Sequence, residues 1–408
     1  MSGPFTESTP DLNGHTPAEL AAAASTAVES VGFGDGPFLL DPIPRVIGAD
    51  DWTRLAAGLT QRVRALDAWC ADVYGERRIV RDGVVPARVI DTIDTLEPDL
   101  AGVSLPRWIG IAGLDIVRAP DGRFLVLEDN VRTPSGMAYA IAARIVTESL
   151  LETAGVVPLD ELRAMLESVL GEGRAVVLTD GVGNAAYWEH HWLADLLDIP
   201  LLEPAELNVG AVDVVYRRTD DSALDSPVGR LLAEPWRAGR VRLVNAFGTG
   251  VADDKLAHAY VEDMVRYYLG EEPVLASVRT FDLGRPEVLA EALDRLDELV
   301  IKPRSGYGGV GVVICAHAER ADVERIRADV TESPADYIAQ EMVALSEHLT
   351  VVDGELVPRH VDLRPFVFLG DDGASVLPGG LTRVALNAGT LVVNSSQSGG
   401  VKDTWVLR

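Results

Sequence analysis

The feature that most constrains the fold is a pair of apolar segments separated by a tight-turn signal. Residues 113–118 and 124–127 have the composition of strands, and Asp121-Gly122 between them is typical of a two-residue hairpin loop. A hairpin closed by such a loop fixes which residues lie opposite one another. The sequence therefore predicts an antiparallel hairpin over residues 111–130.

Polar residues at the end of this hairpin form an oxygen-rich set. The predicted register places Asp115 directly opposite Glu128, and Asn130 lies two residues further on the same face. Opposed carboxylates repel each other unless a cation lies between them. Two carboxylates and an amide oxygen suit Mg²⁺ bound to the phosphates of a nucleotide. We predict such a metal site here; a solvated hairpin with chance acidic residues is the alternative.

A second motif is a glycine-rich loop that follows an apolar strand ending in Lys302. Its glycines have the GxGxxG spacing: Gly306, Gly308 and Gly311. A dinucleotide-binding loop would continue into a helix, but residues 310–315 have strand composition, and a Walker loop would carry its lysine after the glycines. We predict a strand–loop–strand whose backbone N–H groups hold phosphate oxygens while Lys302 supplies positive charge. An ordinary glycine-rich hairpin is the alternative.

The charge balance limits the class of partner. The 408 residues include 63 acidic and 36 basic side chains, and the net charge of −27 argues against binding to nucleic acid or an anionic membrane. No apolar run approaches the roughly 18 to 20 residues of a membrane span. Residues 1–30 lack the pattern of a secretion signal and read as a mobile tail or a short helix. We predict a soluble, cytoplasmic protein with Cys70 and Cys315 as core residues.

The remaining patterns predict α+β and α/β lobes joined without a long linker. Helical spacing runs from Trp52 to Trp69, and a further helix is predicted to begin near Asp253. Strands and a helix alternate over residues 175–244, which predicts a small open parallel sheet. Strands dominate the C-terminal part, with predicted ranges 299–302, 310–315, 337–343, 349–352, 361–368, 375–378 and 390–393.

Several separate stretches together resemble the ATP-grasp superfamily, in its circularly permuted branch related to glutathionylspermidine synthetase. They include Pro44-Arg45-Val46-Ile47, Leu127-Glu128-Asp129-Asn130, Asp254-Lys255, Gln340-Glu341, Pro378-Gly379-Gly380 and Gly399-Gly400-Val401-Lys402-Asp403. In unpermuted relatives the Glu-x-Asn metal motif follows the phosphate loop, whereas here it precedes the loop by about 170 residues. The resemblance implies a circularly permuted ATP-grasp fold with a small parallel-sheet domain like the pre-ATP-grasp domain.

The resemblance also implies ATP and Mg²⁺ as cofactors and assigns residues to them. The metal ligands of the family match Asp115, Glu128 and Asn130, and its two nucleotide lysines match Lys302 and Lys255, which opens a predicted helix. The other nucleotide-binding positions are Ser305, Gly306, Gly308, Gly309, Gln340, Glu341 and Val343. Glu341 and the Val343 backbone are expected to read the amino edge of adenine.

The resemblance leaves open which cation meets the γ-phosphate. Gly113 stands where the synthetase group carries an arginine. The catalytic candidates that remain are Arg364, Arg383 and Lys402. Arg217-Arg218 could clamp a substrate carboxylate through paired hydrogen bonds, although ion pairs with the nearby Asp220-Asp221 are an equal alternative.

The activity that the resemblance implies is an ADP-forming carboxylate–amine ligation through an acylphosphate. Its substrates would be a small-molecule carboxylate and an amine, or a peptide, and an oligomer is possible. The alternatives are an ATP-dependent phosphotransferase and a non-catalytic ATP-binding module. The predicted divisions are 1–31, a mobile tail; 32–170, an N-terminal helical part with the metal hairpin; 171–272, the pre-ATP-grasp-like α/β domain; 273–347, the nucleotide lobe with the glycine-rich loop; and 348–408, C-terminal strands completing the catalytic lobe.

Overall fold

The structure is a computed structural model that describes residues 5–34, 36–220, 223–306, 310–386 and 399–408. The predicted strand 390–393 and two of the predicted nucleotide-binding glycines, Gly308 and Gly309, lie outside these residues. In the part of the chain that is described, every helix is too short or too polar to cross a membrane.

The helices vary from single turns to one long amphipathic helix. They are α1 Pro17–Ala27, α2 Ala49–Tyr74, α3 Arg78–Arg81, α4 Ala87–Asp91, α5 Met137–Leu150, α6 Leu162–Leu170, α7 Tyr187–Leu197, α8 Pro227–Arg237, α9 Gly250–Asp253, α10 Val261–Met264, α11 Pro286–Asp294 and α12 Arg320–Glu332. Helix α2 begins with Asp50 and Asp51 in its first turn, where carboxylates favour the helix dipole. Its apolar stripe, which includes Leu55, Leu59 and Leu66, is fully buried.

The strands are mostly short and lie in four sheets. They are β1 Gly32–Phe33, β2 Gly36–Pro37, β3 Leu40–Ile47, β4 Ile111–Arg118, β5 Phe124–Asn130, β6 Ala175–Thr179, β7 Leu201–Leu202, β8 Val214–Arg218, β9 Arg242–Val244, β10 Ala276–Ser277, β11 Thr280–Asp282, β12 Leu299–Pro303, β13 Val313–Ile314, β14 Tyr337–Glu341, β15 Glu347–Val352, β16 Glu355–Arg364, β17 Phe366–Gly370, β18 Gly373–Val376, β19 Leu381–Val384 and β20 Gly400–Val406.

The largest sheet joins the two ends of the chain. Among the described residues it has ten strands, with the central order β10-β5-β4-β16-β19-β20-β3, so the β4–β5 hairpin pairs directly with the C-terminal strand β16. Strands β10 and β5, and strands β20 and β3, are parallel, while the other pairs are antiparallel. One face of the hairpin shares a buried cluster with α2. The sheet therefore holds residues from both halves of the sequence on one surface.

The small parallel sheet predicted from residues 175–244 is present. Its strand order is β7-β6-β8-β9, and all of its pairs are parallel. Asn245, which follows β9, joins this sheet to the large one. Its side chain accepts hydrogen bonds from Gly110 N at 2.7 Å and Ile111 N at 2.8 Å, and it donates to Val131 O at 2.6 Å. These bonds fix the base of the hairpin relative to the parallel sheet.

A third sheet carries the glycine-rich loop. Its described strands have the antiparallel order β11-β14-β12-β13, and α11 and α12 supply apolar side chains to the core on one face. The predicted strand 310–315 is wrong in extent, because only Val313–Ile314 is extended and a short 3₁₀ turn follows. The predicted strand 361–368 is divided at Pro365, where proline has no N–H for the sheet ladder.

The N-terminal segment packs against the large sheet from residue 5 onward, in contrast to the predicted mobile tail. Glu7 is 3% exposed and its carboxylate pairs with Arg45 at 2.5 Å and with Arg118 at 3.1 Å. Helix α1 begins with a capping box, in which Thr16 and Glu19 exchange hydrogen bonds. The boundaries of the predicted domains remain predictions.

Candidate nucleotide and metal site

The β4–β5 hairpin has the predicted pairing at its polar end but not at its turn. Asp115 lies opposite Glu128, and Gly113 lies opposite Asn130. Next to the turn, however, Arg118 pairs with Phe124, so the loop is one residue longer than the predicted two-residue turn. Gly122 takes φ +84°, which suits a three-residue loop that ends in a glycine.

A β-bulge at Leu127 reconciles the two registers. Glu128 pairs with Asp115 while Val126 pairs with Ile116, which leaves Leu127 as an extra residue in β5. Because of this extra residue, Val126 faces the core shared with α2, whereas Glu128 faces the opposite side. The bulge therefore determines which polar side chains reach the candidate site.

Asp129 faces away from Glu128 and forms a buried network below the hairpin. Arg62 donates two hydrogen bonds to its carboxylate, at 2.6 and 2.8 Å, and His258 Nδ1 lies 2.6 Å from the same group. Burial opposes ionisation, but the charge of Arg62 outweighs it and lowers the pKa of Asp129. Asp129 thus ties α2 and the segment around His258 to the hairpin.

Asp115 is held between two arginines, which is the largest departure from the predicted metal set. Arg364 donates to both of its oxygens, at 2.7 and 3.0 Å, and Arg383 Nη2 lies 2.9 Å from Oδ2. Arg383 also pairs with the buried Asp362. Burial would raise the pKa of Asp115, but the two guanidinium charges outweigh it and lower the pKa to about 2. The carboxylate of Asp115 therefore faces the site already neutralised rather than open to a cation.

The space above Gly113 explains the missing arginine of the synthetase group. A Cβ atom added there would lie 3.0 Å from Cβ of Pro134 and 3.3 Å from Cδ of Arg364. Arg364 reaches this space from the neighbouring strand β16 and also donates to Ser135 O at 3.3 Å. An arginine is present beside Asp115, supplied by a strand that lies 249 residues further along the chain.

The two predicted nucleotide lysines meet at the base of the glycine-rich loop. Lys255 Nζ donates to Gly306 O at 2.7 Å and lies 4.0 Å from Glu128 Oε1. It lies in a turn after α9, so the predicted helix begins later than Asp253, at Ala257, with a 3₁₀ turn that continues into α10. Burial lowers the pKa of Lys302, and among the described residues none accepts a hydrogen bond from its ammonium group. Lys302 is therefore a partly buried cation for which the described residues supply no hydrogen-bond acceptor.

A cleft of about 190 Å³ lies beside Lys255 and the first residues of the loop, Ser305 and Gly306. Two ion pairs that sequence reasoning did not predict line it. Arg304 donates to Asp254 Oδ2 at 2.8 Å, and Arg132 donates to Asp253 Oδ2 at 2.6 Å. These pairs hold the base of the loop and the end of the hairpin on opposite sides of the cleft. The only local pattern that could have indicated these ion pairs is the pair of adjacent acids in Asp253-Asp254-Lys255.

A second, smaller cavity adjoins the cleft and separates the hairpin from the sheet of the loop. Its walls include Glu128, Lys255, Lys302, His258 and Gln340. Sequence reasoning missed His258, because its spacing from other residues matches no metal motif. The cavity brings the two predicted lysines, one predicted metal ligand and the predicted nucleotide-binding residue Gln340 to a single place.

The predicted nucleotide-binding residues at the end of β14 do not all face this cavity. Gln340 lines it, and Nε2 of Gln340 donates to Leu127 O at 3.3 Å across the two sheets. Glu341 points to the other face of β14, where Arg279 lies 3.2 Å and Arg295 3.5 Å from its carboxylate. The prediction for the Glu341 side chain is therefore wrong in orientation. Val343 packs its side chain in an apolar cluster after the strand.

Lys402 is not in the site. It is fully buried on the opposite face of the sheet from Arg383, pairs with Asp41 and donates to Leu349 O at 3.1 Å. This corrects its prediction as a catalytic cation, because its charge is neutralised by a distant segment of the chain.

Arg217 and Arg218 are also buried and do not form a carboxylate clamp. Arg217 donates to Asn245 O at 3.1 Å and stacks over the ring of Phe247. Arg218 donates to Pro134 O at 2.7 Å and to Glu189 at 2.9 Å. Both arginines bind backbone segments, which does not fit the predicted substrate clamp, while Asp221 of the alternative ion pairs lies outside the described residues.

The remaining oxygen ligands fit a magnesium ion that also binds nucleotide phosphates. Glu128 is partly exposed, with 35% of its side chain accessible, and Nδ2 of Asn130 has no hydrogen-bond partner although it is buried. A turn of that amide would direct its oxygen to the site face. Among the described residues no three His, Cys, Asp or Glu side chains form a closed metal cluster. Mg²⁺ commonly takes one or two protein oxygens and completes its shell with phosphate and water.

The fold and the site together define a nucleotide-binding protein of the ATP-grasp class. The permuted order of metal hairpin and glycine-rich loop is present, and the small parallel sheet lies between them in the sequence. The family described as circularly permuted ATP-grasp type 2 matches residues 44–385, and the chain belongs to this family. The predicted fold class is thereby confirmed, and the family is one of ligase-type proteins that use ATP and a divalent metal.

Relatives of this chain occur in several bacteria. A Frankia casuarinae protein, named provisionally as glutamate–cysteine ligase 2-2, is 45% identical over 91% of this chain and 47% of its own length. An uncharacterized protein of Mycobacterium tuberculosis is 42% identical over 91% of this chain and 74% of its own length. The chain thus spans about half the length of the Frankia relative that it matches.

A solved structure with the same fold is the apo form of a glutathione synthetase-like effector from Globodera pallida. It aligns with 96% of this chain and 98% of its own length, at a TM-score of 0.64 and 10% identity. At this identity the likeness concerns the fold alone.

Proposed function

We propose that this protein is an ATP-dependent ligase that joins a carboxylate to an amine and releases ADP and phosphate. The single observation that carries the proposal is the meeting of Lys302, Lys255 and Glu128 at the base of the glycine-rich loop. The N–H donors of Lys302 and the loop amides suit phosphate oxygens, and the cleft beside them leaves room for a second substrate.

The residues would act mainly by positioning and charge neutralisation. Lys255 and Lys302 would hold phosphate oxygens, and Glu128 with Asn130 would hold Mg²⁺, which neutralises charge on the transferred phosphoryl group. Arg364, the more exposed of the two arginines beside Asp115, would stabilise charge on the γ-phosphoryl group. Asp115 could become a metal ligand only where Arg364 has moved to the phosphate.

The proposed chemistry is an attack of the substrate carboxylate on the γ-phosphoryl group, followed by an attack of the amine on the acylphosphate. Closure of the loop over the cleft would exclude water from this reactive anhydride. The name of the Frankia relative makes glutamate and cysteine the first pair to assay.

The experiment that tests the proposal is product analysis with ATP, Mg²⁺, pooled carboxylates and pooled amines. We expect ADP together with a product lighter than its two precursors by one water, detected by mass spectrometry. A phosphorylated substrate would indicate a phosphotransferase, and nucleotide binding without any turnover would indicate a non-catalytic module. Either result would overturn the ligase proposal.

A matched pair of variants tests the metal assignment. Glu128→Gln removes the charge of the partly exposed site carboxylate, and we expect turnover to fall by about two orders of magnitude or more. Glu341→Gln makes the same change on the other face of the neighbouring sheet, where the carboxylate pairs with Arg279. We expect it to leave turnover nearly unchanged. Equal turnover of the two variants would refute the metal role of Glu128.

A further inference from the structure

His258 has an unpartnered nitrogen in the small cavity between the hairpin and the loop sheet. The residue is 4% exposed, and its buried Nε2 atom has no hydrogen-bond partner among the described residues. The same cavity is lined by Lys302 and Gln340. Leaving a polar atom unpaired in the interior costs about 1–3 kcal/mol, so such an atom in a cavity wall indicates a ligand that pairs with it.

The contacts of the other ring nitrogen, Nδ1, determine whether Nε2 donates or accepts a hydrogen bond. Nδ1 lies 2.6 Å from a carboxylate oxygen of Asp129 and 3.0 Å from Nη2 of Arg62, and we place the proton on Nδ1 because the shorter contact is with an oxygen that can only accept. Arg62 and Lys302 lie nearby, and burial lowers the pKa of His258, which favours the neutral ring. In the neutral ring with its proton on Nδ1, Nε2 is a hydrogen-bond acceptor.

Gln340 provides a second unpaired acceptor in the same cavity. Thr280 Oγ1 donates to Val278 O at 2.9 Å, so it can only accept from the amide of Gln340, at 2.9 Å. This assigns Nε2 of Gln340 to Thr280 and leaves the buried Oε1 atom without a partner. The residues that line the cavity thus supply two acceptors, His258 Nε2 and Gln340 Oε1, that lack donors among the described residues. The apolar side chains of Leu127 and Ile338 also line the cavity.

We propose that His258 Nε2 and Gln340 Oε1 together accept the two N–H bonds of the exocyclic amino group of adenine. This inference rests on the proposed function, and it makes His258 a specificity-determining residue. A purine with an oxo group at that position would present a third acceptor to two unpaired acceptors. The site would therefore reject 6-oxopurine nucleotides, since neither protein atom could be satisfied.

Entry of a base requires the two sheets to separate. The cavity has a volume of about 10 Å³, far less than a purine occupies. The hydrogen bond from Gln340 Nε2 to Leu127 O spans the cavity at 3.3 Å, a long distance for such a bond. Its acceptor belongs to the extra residue of the bulge. Binding of the base therefore requires this hydrogen bond to break.

The test is equilibrium binding of three nucleotides to the full chain with Mg²⁺, measured by calorimetry. ITP replaces the amino group of ATP with an oxo group, and 2′-deoxyATP removes one ribose hydroxyl. We expect the protein to bind ATP at least about tenfold more tightly than ITP. His258→Asn keeps a donor for Asp129 and removes the cavity-facing acceptor. We expect this variant to bind ATP about tenfold more weakly and to bind ITP nearly as before.

Two further variants complete the test. His348→Asn changes another buried histidine, which contacts Ser8 O far from the cavity lining, and we expect it to preserve the ATP preference. Gln340→Leu removes the second acceptor and should by itself reduce the preference for ATP over ITP. This variant tests the inference even if His258→Asn fails to fold.

The outcomes are distinct. Equal weakening of ATP and ITP by His258→Asn would show a merely structural role and would overturn the inference. So would a selective loss of the preference for ATP over 2′-deoxyATP, which would place His258 at the ribose. Absence of nucleotide binding by the unmodified chain would instead refute the proposed function itself.

Discussion

The pairing of Asp115 with two arginines makes a prediction about the sign of a stability change. In an open cluster of metal-binding carboxylates, replacing one acid by its amide relieves repulsion and stabilises the protein. In the arrangement seen here, Asp115→Asn leaves the guanidinium groups of Arg364 and Arg383 with one carboxylate fewer. We therefore expect this variant to be less stable in the absence of metal.

The magnitude follows from the pKa of the buried carboxyl group. A decrease from 3.8 to about 2 means that the folded state favours ionised Asp115 by about 2–3 kcal/mol. Removing one partner of a buried ion pair costs about 3–5 kcal/mol, because the other charge stays buried. For a chain of 408 residues the unfolding entropy is about 0.9 kcal/mol per kelvin, so Tm should fall by about 3–6 °C.

The assay is thermal unfolding of the original chain and the variant across pH, with EDTA present. Because the folded pKa of Asp115 is lowered, its stabilisation is complete above the unfolded pKa of 3.8 and is lost as the pH falls toward 2. The difference in Tm should thus be the same at pH 5 and at pH 8. Asp121→Asn at the exposed turn of the hairpin is the control and should show no comparable loss. A variant as stable as the original chain, or more stable, would refute the arginine pairing.

Three further predictions concern buried charges. Glu189→Ala removes the carboxylate that binds Arg218 and the first turn of α5, so Tm should fall by about 3–6 °C in thermal unfolding. Lys402→Met leaves the buried carboxylate of Asp41 without its cation and should lower Tm by a similar amount. Turnover per folded molecule, measured as ADP release, should stay near the original value. Lys302→Met should raise Tm, since the removed ammonium is partly buried and burial lowers its pKa, yet weaken ATP binding in calorimetry by at least about tenfold.

The sequence predicted the components of the site better than their pairing. The hairpin, the small parallel sheet and the strand ending in Lys302 were correct, because each depends on local periodicity and turn residues. The facing of Asp115 and Glu128 was also correct, although the predicted turn was one residue too short. The bulge that compensates for the turn has no local sequence signature that distinguishes it from a regular apolar strand.

The errors concern charges whose partners are distant in sequence. Lys402 lies in a glycine-rich segment that resembles a functional loop, but its partner Asp41 is 361 residues away. Arg218 likewise finds Pro134 and Glu189 rather than the acids next to it. The first pair is created by the pairing of β20 with β3 and the second by the packing of α7 near the end of β8, and a local pattern of residue types does not contain that information.

The bulge at Leu127 has a consequence for how related sequences should be read. Along a regular strand, residues of the same parity share a face, so Val126 and Glu128 would both point into the core. The extra residue reverses this parity, and even-numbered positions change from buried to site-facing between Val126 and Glu128. A regular β5 that kept all of these residues without the bulge would bury Glu128 and Asn130 and would present Asp129 in their place, whereas deletion of Leu127 itself would leave Glu128 opposite Asp115. The spacing between the turn and the acidic motif is therefore as informative about activity as the motif itself.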